Sequence, residues 1–203
     1  MENLFELSPE KYWDFPSSYS KERKESEILT RIASDDYIAS LKKDGHYNRT
    51  VIANGRIAMQ SRTISKVTGE YADKTAHVPH IVDSLKKLPE GTVIIGELYQ
   101  HGKTSSDMTS VLQCLPEKSV KRQKGEYGFV YYYIHDCWYY NGQNLMDEPY
   151  SKRIEYVQKI FNIEILFPDA LFFQQTAVIR CDELVEGVER RCDRSAGLEL
   201  REV

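Results

Sequence analysis

The sequence has 203 residues, 41% of them apolar and 29% charged, which is enough to bury one sizeable core. Its formal charge of −4 gives no basic field over the whole chain, so any contact with nucleic acid would need local clusters of lysine and arginine. The N-terminus has no apolar signal segment and no apolar run is long enough to span a bilayer, so we expect a cytoplasmic protein that does not bind membranes. The four cysteines lack Cys-x-x-Cys spacing, which is typical of reduced thiols rather than of a zinc site or a disulfide framework.

The first elements in chain order are a helix and a strand. Ile28, Leu29 and Ile32 form a narrow apolar stripe at helical spacing, which predicts a short amphipathic helix between Ser20 and Ser34. An apolar run from Tyr37 to Leu41 follows, and its length and spacing predict a strand.

A Lys-x-Asp-Gly sequence stands at the end of this strand. Because side chains alternate along a strand, Lys42 and Asp44 are predicted to project together while Lys43 points away. Lys42 is therefore the candidate reactive group. Gly45 removes a side chain at the turn, which would let a flat ligand or a phosphate approach the backbone.

The middle of the chain alternates strands and helices. Asn54-Gly55 predicts a tight hairpin, after which Ser61-Arg62 opens a polar stretch expected to be a loop as far as Tyr71. The run Thr92–Tyr99 is β-branched and carries one carboxylate, Glu97. Helices are predicted near residues 78–88, 107–115, 151–161 and 181–192, and strands near 127–140, 163–166, 171–179 and 197–201.

Several short sequences in a fixed order now stand out. They are Lys42-x-Asp44-Gly45, Ser61-Arg62, Gly96-Glu97-Leu98, the aromatic strand ending in His135-Asp136, and Pro149-Tyr150 before Arg153. In this order they resemble the motifs of the covalent nucleotidyltransferases, and most of all the adenylation domain of ATP-dependent DNA ligases of phage or bacterial type. RNA ligases and messenger-RNA capping enzymes are more distantly similar. The resemblance covers roughly residues 37 to 160.

The resemblance implies a fold and a reaction. The fold is α+β, with antiparallel β-sheets packed by helices in a single ATP-grasp-like adenylation domain over residues 1–203. Lys42 would attack the α-phosphate of ATP, with Mg²⁺ bridging the phosphates, and the stored adenylyl group would pass to the 5′-phosphate of nicked duplex DNA. The partner would be DNA or RNA, and the protein is expected to be a monomer.

The resemblance also implies roles for individual residues. Asp44 would orient Lys42 and the nucleotide, Glu97 would accept hydrogen bonds from the ribose hydroxyls, and Arg62 would hold phosphate oxygens. His135 stands where the family has a phenylalanine or tyrosine that stacks on adenine, and a core histidine is the alternative. Family members place an arginine closer to Gly45 than Arg49, so a ligand role for Arg49 stays open.

The C-terminal part departs from the family pattern. Two stretches compete for the Glu-Gly-x-Val-x-Lys motif, which supplies a carboxylate near the metal: Glu186-Gly187-Val188, inside a predicted helix, and Ala196–Arg201, on a predicted strand. The sequence holds no Lys-x-Lys strand and no OB-type domain after Val203, so we expect a truncated ligase that seals nicks poorly. A non-catalytic remnant that binds nucleotide or nucleic acid is the alternative from a different functional class.

Overall fold

The computed structural model describes residues 3–9, 16–34, 37–66, 68–162, 171–172 and 197–202. The predicted strand at 163–166, most of the one at 171–179 and the predicted helix at 181–192, with Glu186, lie outside these residues. No helix in the described part is long and apolar enough to cross a membrane.

Strands and helices alternate along the chain. The strands are β1 Tyr37–Lys42, β2 His46–Ala53, β3 Arg56–Ile64, β4 Tyr71–Asp73, β5 Thr92–Tyr99, β6 Tyr131–Tyr140, β7 Gln143–Asn144, β8 Leu171–Phe172 and β9 Gly197–Glu202. The helices are α1 Lys21–Ile32, α2 Pro79–Leu85, α3 Ser105–Leu112, α4 Pro116–Lys124 and α5 Tyr150–Asn162, with short 3-10 turns at Leu4–Glu6 and Thr75–His77.

Two sheets organise these strands. Six strands follow the order β4-β3-β2-β5-β6-β7 with antiparallel neighbours, and β8 pairs with β6 in parallel. The second sheet is the antiparallel pair β1-β9. The predicted turn at Asn54-Gly55 forms as expected, and a second turn of the same kind lies at Asn141-Gly142 after β6. All four residues have positive φ, which this hairpin turn requires. The fold is therefore α+β with antiparallel sheets, as the resemblance implies.

The seven-stranded sheet has an apolar cluster on each of its two faces. The larger core joins α2, α3 and α5 to the sheet through apolar residues such as Leu85, Leu112, Val157 and Ile94. The opposite face carries a smaller cluster around Val51, Ile95 and Trp138. Because all eight residues of β5 are buried, this central strand contributes to both clusters. The less apolar end of the second face is where polar side chains collect.

Most predicted helices are confirmed, with shifted ends. Those near residues 20–34, 78–88, 107–115 and 151–161 are α1, α2, α3 and α5. The predicted loop after the first hairpin is shorter than expected, because β3 continues through Ser61-Arg62 to Ile64 and pairs with β4, which begins at Tyr71. The last residues of β3 are exposed and pair only with the short strand β4, so they show no apolar alternation that would predict a strand.

An ion pair ties α5 to the sheet. The Arg153 guanidinium donates to both carboxylate oxygens of Asp136, from Nε at 2.8 Å and from Nη2 at 3.2 Å. The Asp136 side chain is fully buried and also accepts from the Cys137 backbone N–H. The Tyr150 hydroxyl donates to the carbonyl of His135 at 2.8 Å. The His135-Asp136 and Tyr150-x-x-Arg153 motifs therefore meet in space and fix β6 against α5.

Candidate functional site

One row of side chains crosses the polar end of the sheet. Tyr47 on β2 is directly opposite Glu97 on β5, and Glu97 is directly opposite Tyr133 on β6. Residues directly opposite each other in a sheet share a face. The guanidinium of Arg62 on β3 lies 4.4 Å from the centroid of the Tyr47 ring, which extends the row. Two predicted residues, Arg62 and Glu97, are thus brought onto one face.

Glu97 is a buried carboxylate on a central strand. It is 6% exposed, and an ionised carboxylate at such depth is costly unless polar groups compensate it. Gly96 precedes it for a packing reason, since a Cβ there would meet the Tyr133 carbonyl and would lie 2.6 Å from Cε2 of Tyr132. Gly96 therefore lets β6 approach β5 closely, and Glu97 places a carboxylate on the same face as Tyr47 and Tyr133.

The turn after β1 carries a second lysine to this face. Strand β1 ends at Lys42, and Lys43, Asp44 and Gly45 lie outside any strand, so alternation along β1 does not relate Asp44 to Lys42. Lys43, which alternation predicts to point away, has its ammonium 5.4 Å from the Tyr99 ring centroid and 5.5 Å from that of Tyr133. Partial burial lowers the pKa of Lys43.

Gly45 is required by the packing of this turn. A Cβ at this position would lie 2.6 Å from the Leu98 carbonyl oxygen and 2.9 Å from Cβ of Tyr99. The absence of a side chain at Gly45 therefore lets the turn pack against the end of β5. This explains the glycine by packing, whereas the sequence pattern predicted the approach of a ligand.

His135 lies beside the same row. Gly96 pairs with Ile134 and Ile95 pairs with Asp136, so His135 is the extra residue of a β-bulge. Its ring centroid is 6.2 Å from that of Tyr133, and the ring is buried. Alternation along β6 places His135 on the same face as Tyr133, two residues earlier, and the bulge lies at this point of the strand.

Arg49 has mainly structural contacts. It is 2% exposed, and its Nε and Nη2 donate to Gln60 Oε1 at 3.2 and 2.7 Å. Nη2 also donates to the Phe5 carbonyl, and the guanidinium lies 4.7 Å from the Tyr71 ring centroid. Burial lowers the pKa of Arg49. Its Nη1 has no hydrogen-bond partner among the described residues, which leaves one donor group for a ligand.

An aromatic cluster surrounds the Lys43 ammonium. The Tyr99 ring lies 6.0 Å from that of Tyr131 and 6.3 Å from that of Tyr133, between centroids. His101 is 5.2 Å from both Tyr99 and Tyr131, and burial together with the Lys43 charge lowers its pKa. Burial raises the pKa of Tyr99. These residues were not among the predicted site residues, although the i, i+2 spacing along β6 carries the signal.

Strand β9, the partner of β1, carries one of the two candidates for the Glu-Gly-x-Val-x-Lys motif. Lys42 is directly opposite Gly197 and Ser40 is directly opposite Glu199. Residues 197–201 therefore lie beside β1, whereas the competing candidate at Glu186 lies outside the described residues. No group of three His, Cys, Asp or Glu residues that could hold a metal is present in the described ranges.

Comparisons with known proteins identify a family and a similar fold. A family model described as "ATP dependent DNA ligase domain" matches residues 19–187, well over half of the chain. The ligase domain of LigD from M. tuberculosis has a similar fold, with a TM-score of 0.55 at 15% identity over 84% of this chain and 50% of that one. A mycobacterial DNA ligase D solved with ATP and MES gives a TM-score of 0.44 at 18% identity, over 64% of this chain and 38% of that one. The chain thus spans half or less of the length of these structures, and no curated protein matches it.

The family match extends over the stretch that carries the ordered motifs, and the similar solved domain has the same type of fold. The chain belongs to the ATP-dependent DNA ligase domain family.

Proposed function

We propose that this chain is an adenylation domain that forms a covalent lysyl-AMP on Lys42 and transfers the adenylyl group to the 5′-phosphate of nicked duplex DNA. The observation that carries the proposal is the Arg62–Tyr47–Glu97–Tyr133 row at the end of the sheet. It puts an acceptor for ribose hydroxyls, aromatic surface and a phosphate-binding cation on one face.

The proposed first step breaks one bond and forms one bond. The Lys42 ammonium loses a proton, its Nζ attacks the α-phosphorus, the bond from that phosphorus to the bridging oxygen breaks, and pyrophosphate leaves. The nitrogen gives up a second proton as it becomes a phosphoramidate. A neighbouring cation favours the neutral amine, and the Lys43 ammonium follows Lys42 directly in the chain.

The nucleotide would occupy the face that bears the row. Glu97 would accept from the ribose, the ring of His135 would stack on the base beside Tyr133, and Arg62 would contact the phosphates. Asp44 and Gly45 would shape the turn that holds Lys42. Mg²⁺ would supply charge neutralisation on the phosphates, and Glu199, opposite Ser40 in the β1-β9 pair, is our candidate for a nearby carboxylate.

Two alternatives make different predictions. An RNA ligase would form the same adenylate and join RNA ends in preference to a DNA nick. A non-catalytic remnant would bind ATP without modification of any lysine.

Intact-mass spectrometry after incubation with ATP and Mg²⁺ tests the proposal. We expect a mass increase equal to one adenylyl group, lost when pyrophosphate is added in excess and absent in Lys42→Ala. Binding of ATP without this increase would support the non-catalytic alternative. Transfer to 5′-phosphorylated nicked DNA, compared with a 5′-phosphorylated RNA end, then separates the two ligase classes.

A further inference from the structure

Helix α4 concentrates positive charge in a chain that is acidic overall. It carries Lys118, Lys121, Arg122 and Lys124 against a single acid, Glu117, while the whole chain has a formal charge of −4. None of these residues belongs to the nucleotide site described above.

The four cations divide into two groups by their contacts. Arg122 turns toward the protein, where its Nη1 donates to the Ser110 carbonyl and its guanidinium lies 5.8 Å from the Tyr127 ring centroid. Lys118, Lys121 and Lys124 are exposed. Their spacing of three residues places them along one side of the helix, and we call them the α4 lysine row.

Other basic helices in the described part of the chain pair some of their lysines and arginines with local carboxylates. Helix α1 pairs Lys21 with Glu25 and Arg31 with Glu27, and α5 pairs Lys152 with Glu155. Within the described ranges, no carboxylate oxygen lies within 4 Å of a residue of the α4 lysine row.

The helix dipole accounts for only part of the row. Lys121 and Lys124 occupy the last turn of α4, where cations are favourable, whereas Lys118 lies before it. A field of three exposed charges that extends beyond the last turn is typical of a surface that meets a polyanion.

The C-terminal end of α4 is connected to the site through short contacts. Gln123 Oε1 accepts from the Val130 backbone N–H at 3.2 Å, directly before Tyr131 of the aromatic cluster. The Gln100 side chain, next to Tyr99 on β5, donates to the Tyr127 carbonyl. The C-terminal end of the α4 lysine row is therefore close to the end of β5 and the start of β6, which carry part of the aromatic cluster.

We propose that the α4 lysine row binds the sugar–phosphate backbone of duplex DNA outside the nucleotide pocket. The inference rests on the proposed function for its choice of polyanion, because a strand whose 5′-phosphate lies at Lys42 must continue over the neighbouring surface. Lysines on flexible stems contact phosphates as point charges without base specificity, so the row would position the duplex and would not read its sequence.

The test uses the full chain and a fluorescein-labelled nicked duplex in anisotropy titrations between 50 and 200 mM salt, without ATP. The variant Lys118→Gln/Lys121→Gln/Lys124→Gln is compared with Lys86→Gln/Lys87→Gln/Lys152→Gln, which removes the same charge from exposed lysines elsewhere. We expect the row variant to bind the duplex roughly tenfold more weakly. The slope of log affinity against log salt concentration should become less steep by about 2 to 3. The control should retain the wild-type slope.

An adenylation assay of the same proteins distinguishes a failure of this inference from a failure of the proposed function. The row variant should form the Lys42 adenylate at the wild-type rate and keep its melting temperature. Equal loss of DNA affinity in both triple variants, an unchanged slope in the row variant, or absence of binding by the wild type would each overturn the inference. An adenylate that fails to form in the wild type would instead overturn the proposed function.

Discussion

Lys42 and Lys43 are adjacent in the chain, and only Lys42 is proposed to be the nucleophile. Lys42 is opposite Gly197 in the β1-β9 pair, whereas the Lys43 ammonium lies against Tyr99 and Tyr133. A partly buried lysine with a lowered pKa can itself be nucleophilic, so the pair must be separated by experiment.

We predict that Lys42→Ala forms no adenylate and that Lys43→Ala still forms one, more slowly, because it loses a neighbouring cation. Incubation with α-labelled ATP and measurement of protein-bound label checks this prediction. Equal labelling of the two variants, or labelling of Lys42→Ala alone, would contradict the assignment.

His135 gives a second test at the level of one residue. Because its buried ring lies beside Tyr133, we expect His135→Ala to weaken ATP binding by roughly 1 to 3 kcal/mol, whereas His135→Phe should keep or improve it. Calorimetric titration of the three proteins measures the affinities. Identical values would assign the histidine to the core.

At the level of elements, one buried ion pair contributes to the packing of α5 against β6. Arg153→Met would leave the fully buried Asp136 carboxylate without its cation. We expect a loss of about 3 to 5 kcal/mol in the free energy of unfolding, because an uncompensated charge would remain inside. Urea denaturation measures the change.

Lys152, which precedes Arg153 in the chain, provides the control. Lys152 pairs with Glu155 on the exposed side of the same helix, and Lys152→Met should cost less than about 1 kcal/mol. Similar losses for the two variants would mean that the effect arises from the helix rather than from the buried pair.

The elements also show what the sequence could and could not predict. Helices such as α5 have clear apolar spacing, and the turn Asn54-Gly55 has specific chemistry, so both were predictable. The bulge at His135 was not, because it depends on how β5 and β6 pair. The same holds for Tyr47 and Lys43, whose place in the site arises from strands that are distant in sequence.

For the whole molecule, two histidines link stability to pH. Burial is the main cause that lowers the pKa of His77 and of His80, and each ring bonds a backbone carbonyl, of Cys114 and Val130 respectively. Above the unfolded pKa of about 6.5 both states are neutral and the free energy of unfolding is unaffected. Below it the unfolded state binds protons first, so stability falls until the folded pKa values are passed.

We therefore predict that the melting temperature decreases between pH 7 and pH 5, and that the decrease is smaller in His77→Gln/His80→Gln. Thermal unfolding at several pH values measures both curves. Parallel curves for the wild type and the double variant would show that other groups cause the acid sensitivity.

The pairing of β1 with β9 has a consequence for the order of folding. Strands β2, β3, β5 and β6 pair with near neighbours in sequence, whereas Lys42 pairs with Gly197, about 155 residues away. Closing so long a loop carries a large entropic cost and slows the contact that depends on it. The seven-stranded sheet can thus assemble while the strand that bears Lys42 still lacks its partner, and amide hydrogens of β1 should exchange faster than those of β5. Opening of the β1-β9 pair would then cost less free energy than opening of the central strands, so Lys42 would lose its strand partner while the core stays folded.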